Sequence, residues 1–221
     1  MQIKLVSITQ PLIEDLTPEE FIVYCARVSN PSNQLNTETA PNLLRYCINH
    51  NHWSIFEQVN MTVEIETSRA VSAQIIRHKS FSFQEWSQRY SETNEFERVE
   101  LRRQGKTNRQ VGDEEFDPIL VYGEDSRYHF TASGAISTLL TQCQQLYQQL
   151  IDAGTAKECA RMILPMCTRT RLYMTGSVRS WIHYLQLRTT QDTQKEHREV
   201  AEAIKGIFIE KFPCISETLW T

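Results

Sequence analysis

At 221 residues, with 40% hydrophobic and 23% charged side chains, the chain has the composition of a soluble globular protein and is long enough to bury a core without metal or disulfide staples. A formal net charge of −4 argues against a dedicated nucleic-acid binder, which would carry a basic excess, but leaves room for a local cationic pocket. The six cysteines form no CxxC pair and no apolar run approaches ~18 residues, so neither a metal site nor a membrane span is expected. There is also no charged-then-apolar leader, and a cytoplasmic protein with reduced thiols is expected.

Residues 2–8, QIKLVSI, alternate as an opening strand. Thr17-Pro18-Glu19-Glu20 combines a hydroxyl cap, an early proline and a capping-box glutamate, predicting a helix to about Asn30, where Pro31 stops it. A second helix is expected from Ala40 to His50. Val59, Met61, Val63 and Ile65 alternate with polar partners as a half-buried strand. Ser68 caps a short helix through Gln74 to about His78, and an irregular loop follows directly. Residues 92–128 have few periodic apolar positions and predict a mobile excursion or lid. A long helix runs from Thr131 to Ala153 with Gly154 as its stop, and another covers Thr155 to Leu164, broken at Pro165. Met166 to Gly176 reads as a strand with Arg169 and Arg171 on one face. Ser177 caps a helix carrying Arg179, His183 and Arg188, and Thr193 to Glu196 reads as a capping box opening a last helix that ends near Pro213. Together these elements predict one α+β domain over residues 1–221, with long helices around a small, mostly antiparallel sheet and an irregular insertion at about 92–130.

The loop after the third helix, Arg77 to Ser91 (RHKSFSFQEWSQRYS), fits neither period. Packing alone would not select so mixed a run. Arginine matches phosphate because its planar fork donates two parallel hydrogen bonds, and hydroxyls and carboxamides complete such a cradle. Taken singly, Arg77, His78 and Lys79 also suit a solvated helix end, where cations favour the negative pole of the dipole. Their combination with Glu85, Ser87, Arg89 and Tyr90 points to an anion site.

This run resembles the signature of flavin-dependent thymidylate synthases, RHRxxSxNExSxRY, with Lys79 in place of the third basic arginine and Gln84 in place of asparagine. Asn51 to Gln58 (NHWSIFEQ) is similar to the family's flavin-lining segment, with His52, Ser54, Phe56 and Glu57 in register. Glu158 to Pro165 (ECARMILP) resembles the segment whose arginine, here Arg161, reaches the substrate phosphate. Ser177 to Arg188 (SVRSWIHYLQLR) resembles the helix that contacts flavin and closes the site. Residues 92–130 have no counterpart.

The resemblance implies reductive methylation of dUMP to dTMP, with FAD as cofactor, 5,10-methylenetetrahydrofolate as carbon donor and NADPH as reductant, in a homotetramer. It assigns dUMP to Gln74, Arg77, Glu85, Ser87, Gln88, Arg89, Arg161 and Arg188. FAD falls to His52, Ser54, Glu57, Arg77, His78, Lys79, Glu85, Ser177, Arg179 and His183. Arg188 is the expected catalytic residue, since a permanently charged guanidinium can hold negative charge developing at N3–O4 of uracil. Cysteine-dependent thymidylate synthases carry a Pro-Cys-Gln triplet; Cys167 and Cys214 lie in neither such context. Ser87 has no evident base beside it and reads as a phosphate ligand, not a nucleophile. Two alternatives stay open: a same-scaffold enzyme on another pyrimidine nucleotide, and a non-catalytic nucleotide- or RNA-binding module.

Overall fold

The computed structural model of the chain describes residues 1–13, 15–108, 111–112, 114–122 and 128–220. Its elements, in chain order, are β1 (Gln2–Ile8), α1 (Pro18–Ala26), α2 (Ala40–Asn49), a 3-10 turn at Trp53–Glu57, β2 (Asn60–Ser68), α3 (Arg69–Ile75), β3 (Ser82–Glu85), β4 (Ile119–Tyr122) and β5 (Tyr128–Thr131). There follow α4 (Ala132–Asp152), α5 (Lys157–Ala160), a 3-10 turn at Arg161–Ile163, β6 (Arg169–Ser177), α6 (Val178–Arg188), α7 (Lys195–Lys211) and α8 (Pro213–Trp220). The architecture is α+β, with one four-stranded sheet in the order β1-β2-β6-β3 and an antiparallel ribbon of β4 and β5, in which Ile119 faces Thr131 and Tyr122 faces Tyr128.

Two compact units share the chain. The first comprises Met1–Ile65, Ile75–Gln84 and Leu172–Thr221; the second comprises Glu66–Gln74 and Glu85–Arg171. In the first unit α6 packs on α7 and on the turn at 53–57, α2 packs on α8, and α7 lies against β1. The alternation of β2 places Met61, Val63 and Ile65 inside with no exposure, and Leu172 and Met174 of β6 do the same. Trp181 of α6 is fully buried, and its indole N–H is not left orphaned: it donates to the Met61 carbonyl at 3.0 Å. In the second unit α4 packs against β5 and α5.

Local chemistry explains most of the boundaries. Thr17 caps α1 with the reciprocal Glu20 bonds of a capping box. Thr131 and Ser177 accept from the backbone N–H three residues on, fixing the starts of α4 and α6. Gly154 takes φ +84 just past α4, where a side chain would be strained.

Several expectations need correction. Helix α1 stops at Ala26, not Asn30, because the chain turns over at Arg27, whose guanidinium is drawn to the carbonyls of Asn33 and Asn36 and the hydroxyl of Thr39. Helix α3 ends at Ile75, short of His78. The expected helix over 155–164 is one turn of α-helix followed by a 3-10 turn. The capping box at Thr193 does not form: the cap position is Gln194, while Thr193 turns back toward Leu187 and Thr190. The last helical stretch continues past Pro213 as α8, because proline is tolerated in a first turn. The segment after Lys79 is not irregular throughout, since Ser82–Glu85 joins the sheet edge as β3. The described residues of 92–118 are largely irregular, with bridges from Phe96 to Thr168 and from Arg102 to Glu115, and β4 follows at Ile119–Tyr122. Residues 109–110, 113 and 123–127 of that expected excursion lie outside the described residues.

Candidate functional site

The expected site residues divide between the two units. His52, Ser54, Glu57, Arg77, His78, Lys79, Ser177, Arg179, His183 and Arg188 belong to the first; Gln74, Glu85, Ser87, Gln88, Arg89 and Arg161 belong to the second.

In the first unit a cleft of about 640 Å³ is lined by Glu57, Asn60, Ser80, Ser82, Thr175, Gly176, Ser177, Arg179, Ser180 and His183. Four of the ten were expected from the sequence. Arg179 is ion-paired to Glu57, and Ser180 donates to the Ser80 carbonyl at 3.2 Å, tying α6 to the segment before β3. The His183 ring lies 5.2 Å from that of Trp53, and partial desolvation, then Arg179, lowers its pKa from the ordinary histidine value. His52 stands outside this wall, edge-on to Tyr46 at 5.8 Å, and Ser54 is exposed on the 53–57 turn.

Beside the sheet, Arg188 at the end of α6 donates from Nε to Nε2 of His78 at 3.0 Å. Burial first, then the charges of Arg188 and Arg77, holds the His78 pKa down to about 4, so the imidazole is neutral near pH 7 and its Nε2 lone pair is available to accept. The Nη groups of Arg188 have no acceptor among the described residues. Arg77 and Lys79 are exposed and form no ion pair among those residues either. This corner therefore carries uncompensated positive charge. Two residues that the sequence reading overlooked stand behind it. The Tyr184 ring meets His78 edge-on at 4.9 Å, and its hydroxyl lies 3.1 Å from Nε2 of the fully buried His197. Tyr184 precedes Arg188 by one helical turn, and His197 interrupts the apolar stripe of Val200, Ala201 and Ile204 on α7. Both signals were present in the sequence.

In the second unit Glu85 is a structural hub. Its Oε1 accepts from Ser72 Oγ at 2.6 Å, from Thr170 Oγ1 at 2.9 Å and from Arg69 at 2.8 Å, joining α3, β3 and β6. The arginine that it orients is Arg69, a residue the sequence did not single out. Ser87 Oγ accepts weakly from the Arg89 N–H at 3.4 Å, and Arg89 forms an exposed ion pair with Glu158 at 3.4 Å. Gln88 is buried, and its Nε2 donor has no partner among the described residues. Such an orphan donor is costly unless something outside the chain accepts from it. Arg161 is half-buried on its 3-10 turn. Gln74 is half-buried at the end of α3 and is engaged in a contact of its own. A second cavity, of about 290 Å³, lies among Thr67, Trp86, Asn94, Thr170 and the ion pairs Arg169–Glu95 (3.3 Å) and Arg171–Glu66 (2.9 Å).

Neither of the two cysteines weighed as a nucleophile, Cys167 and Cys214, is activated by its surroundings. Burial raises Cys167, and burial together with Glu19 pushes Cys214 up to about 11, so both stay protonated at neutral pH. No described helix is long and apolar enough to cross a membrane.

Comparison with known proteins matches residues 11–214 to the family described as thymidylate synthase complementing protein. The chain is 48% identical over 223 residues to the flavin-dependent thymidylate synthase of Synechocystis sp., covering 99% of each chain. It is 47% identical over 221 residues to the probable flavin-dependent thymidylate synthase of Paramecium bursaria Chlorella virus 1, again covering 99% of each. Among solved structures it is similar to a UMP/dUMP methylase, PolB from Streptomyces cacaoi, bound with 5-Br dUMP. That likeness has a TM-score of 0.76 at 26% identity, covering 98% of this chain and 93% of the other. The run from Arg77 to Tyr90 thus sits within a match that extends over nearly the whole length, and the chain belongs to the flavin-dependent thymidylate synthase family.

Proposed function

We propose that this protein methylates dUMP to dTMP using FAD, with carbon from 5,10-methylenetetrahydrofolate and reducing equivalents from NADPH. The observation that carries the reading is Arg188: its Nε is committed to a neutral His78 while its Nη donors have no acceptor among the described residues. A guanidinium held in this way can receive the negative charge that grows at N3–O4 of a uracil ring as C5 becomes nucleophilic. The raised thiols of Cys167 and Cys214 support a route without a cysteine nucleophile.

The residues of the first unit fit a flavin nucleotide. The cleft with Glu57, Ser177, Arg179 and His183 offers hydroxyls, one arginine and an imidazole, and Arg77 and Lys79 add free cations for the diphosphate. In this reading His52, Ser54 and His78 complete the flavin set. Lys79 supplies a point charge where arginine would supply a fork. When bound, the reduced flavin supplies the hydride that completes the methyl group. Gln74, Ser87, Gln88, Arg89 and Arg161 bind dUMP, chiefly its phosphate, a role supported by the Gln88 donor, which has no partner among the described residues. Arg89 would exchange Glu158 for that phosphate. Glu85 serves both ligands indirectly, through Arg69. A homotetramer would let one site draw residues from several subunits. Its support is α4, where only Ala132 and Tyr147 are buried while Leu139 and Leu146 stay exposed. The proposed location is the cytoplasm.

The likeness to the UMP/dUMP methylase favours one second reading, action on the ribonucleotide as well. The deciding experiment gives the FAD-loaded protein methylenetetrahydrofolate and NADPH with either dUMP or UMP. Formation of dTMP from dUMP supports the proposal. Preferential methylation of UMP establishes the second reading, and NADPH oxidation with neither nucleotide methylated eliminates both.

A further inference from the structure

We propose that His197, acting through Tyr184, is a positioning residue for Arg188. The inference rests on the reading of Arg188 as the residue that activates the pyrimidine.

The geometry runs through three contacts on elements of the first unit. His197 on α7 is fully buried, and its Nε2 lies 3.1 Å from the Tyr184 hydroxyl on α6. Tyr184, only 2% exposed, presents its ring edge-on to His78 at an interplanar angle of 82°. His78 in turn accepts from Arg188 Nε. An arginine Nε–H can only donate, so the Nε2 of His78 must carry a lone pair and the ring must hold its proton on Nδ1. The orientation of that ring decides where the Arg188 guanidinium points. Backbone placement alone does not set the orientation, because His78 lies in the turn after α3. The nearest ring against His78 is that of Tyr184, at 4.9 Å, with the His197 ring farther off at 6.3 Å, and Tyr184 is in turn packed by Phe81 at 5.8 Å and Trp181 at 5.9 Å.

Proton placement agrees at each step. Burial raises Tyr184 well above the usual phenol value despite the nearby Arg188, so the hydroxyl keeps its proton and has it to donate. Burial first, then Arg188 and His78, lowers His197 to about 4, so its ring is neutral at pH 7 and one ring nitrogen is free to accept; the proposal puts that lone pair on Nε2. Among the described residues, the charged groups that shift these three side chains are Arg77, His78 and Arg188, all of them basic. A phenylalanine at position 197 would fill the space but leave the tyrosine hydroxyl without its acceptor, and a buried hydroxyl so orphaned turns or shifts to find another. Glutamine can reach with a carbonyl oxygen to the place of Nε2 and restore the acceptor.

The test uses the FAD-loaded enzyme and compares wild type, His197→Phe, Tyr184→Phe, the double variant and His197→Gln. It measures dTMP formation, KM for dUMP and flavin content. If the wild type forms no methylated nucleotide, the function proposed above fails, not this inference. With an active wild type, each phenylalanine variant should lose about tenfold in kcat at unchanged flavin content, the double variant should lose no more than either single, and His197→Gln should recover most of the rate. A rate within twofold of wild type in His197→Phe, or losses that multiply in the double variant, would overturn the inference. A second measurement covers variants that fail to fold: nitrogen NMR of the histidine side chains in the wild-type holoenzyme. An unprotonated Nε2 on both His78 and His197 is expected. A proton on either one would break the chain of contacts.

Discussion

At the scale of single residues, the site is governed by which hydrogen bonds are already spent. Arg188 has one of five N–H groups occupied by His78, and the rest have no acceptor among the described residues. Glu85 shows the opposite case, with three donors on one carboxylate oxygen, so its work is to hold α3, β3 and β6 in register. The contrast predicts different consequences for the two side chains. Arg188→Ala should retain flavin content and the fold while kcat for dTMP formation falls by roughly 10²–10³, the size expected when a donor to a developing oxyanion is removed. Ordinary turnover by that variant would remove Arg188 from the mechanism. Loss at Glu85 would instead leave the Arg69 charge without its partner and act on stability first.

At the scale of elements, β6 and α6 act as one unit of construction. The strand delivers Ser177, whose hydroxyl caps the helix, and the helix then carries Arg179, His183, Tyr184 and Arg188 at fixed angular offsets. Gly176, one residue before that cap, is where the Phe81 ring lies directly on the strand. A Cβ there would stand 2.4 Å from the ring, and Phe81 is itself wedged against Trp181 at 4.7 Å. Gly176→Ala should therefore cost about 1–3 kcal/mol, as overpacking of a filled core does, and should lower flavin retention because Phe81 belongs to the same loop as His78 and Lys79. Unchanged denaturant midpoint and flavin content in this variant would show that Phe81 moves aside freely.

At the scale of the whole molecule, the buried histidines link folding to pH. His78 and His197 are held at about 4 in the folded chain, against roughly 6.5 for an exposed imidazole. Between those values the unfolded chain binds more protons, so stability rises with pH across the window, is complete above about 6.5 and is lost as pH falls toward 4. The contribution of the fully buried His197 is on the order of 3 kcal/mol. Glu19 works in the opposite sense, since burial raises its carboxyl despite bonds from the Ile215 and Cys214 N–H groups. The histidine part is isolated by comparing urea midpoints at pH 7.5 and 5 for wild type and His197→Phe. The wild-type midpoint should drop more steeply; equal slopes would mean that His197 is not buried in its neutral form.

The amino-acid sequence by itself determined the elements whose signals are local. The period-2 alternation of β2, the capping box of α1, the caps of α4 and α6 and the stop at Gly154 all depend on residues within one turn or one strand of each other. It also determined the family, because the run from Arg77 to Tyr90 is unlike anything packing alone would select. What only the tertiary structure decided lies between residues distant in the chain. Arg188 meets His78 across 110 positions, Thr170 reaches Glu85 across 85, and Arg27 ends α1 early by reaching forward to Asn33, Asn36 and Thr39. Sequence spacing sets which face of a helix a side chain occupies, but its partner is chosen by where other elements come to rest, and its charge state follows from how much water those elements exclude.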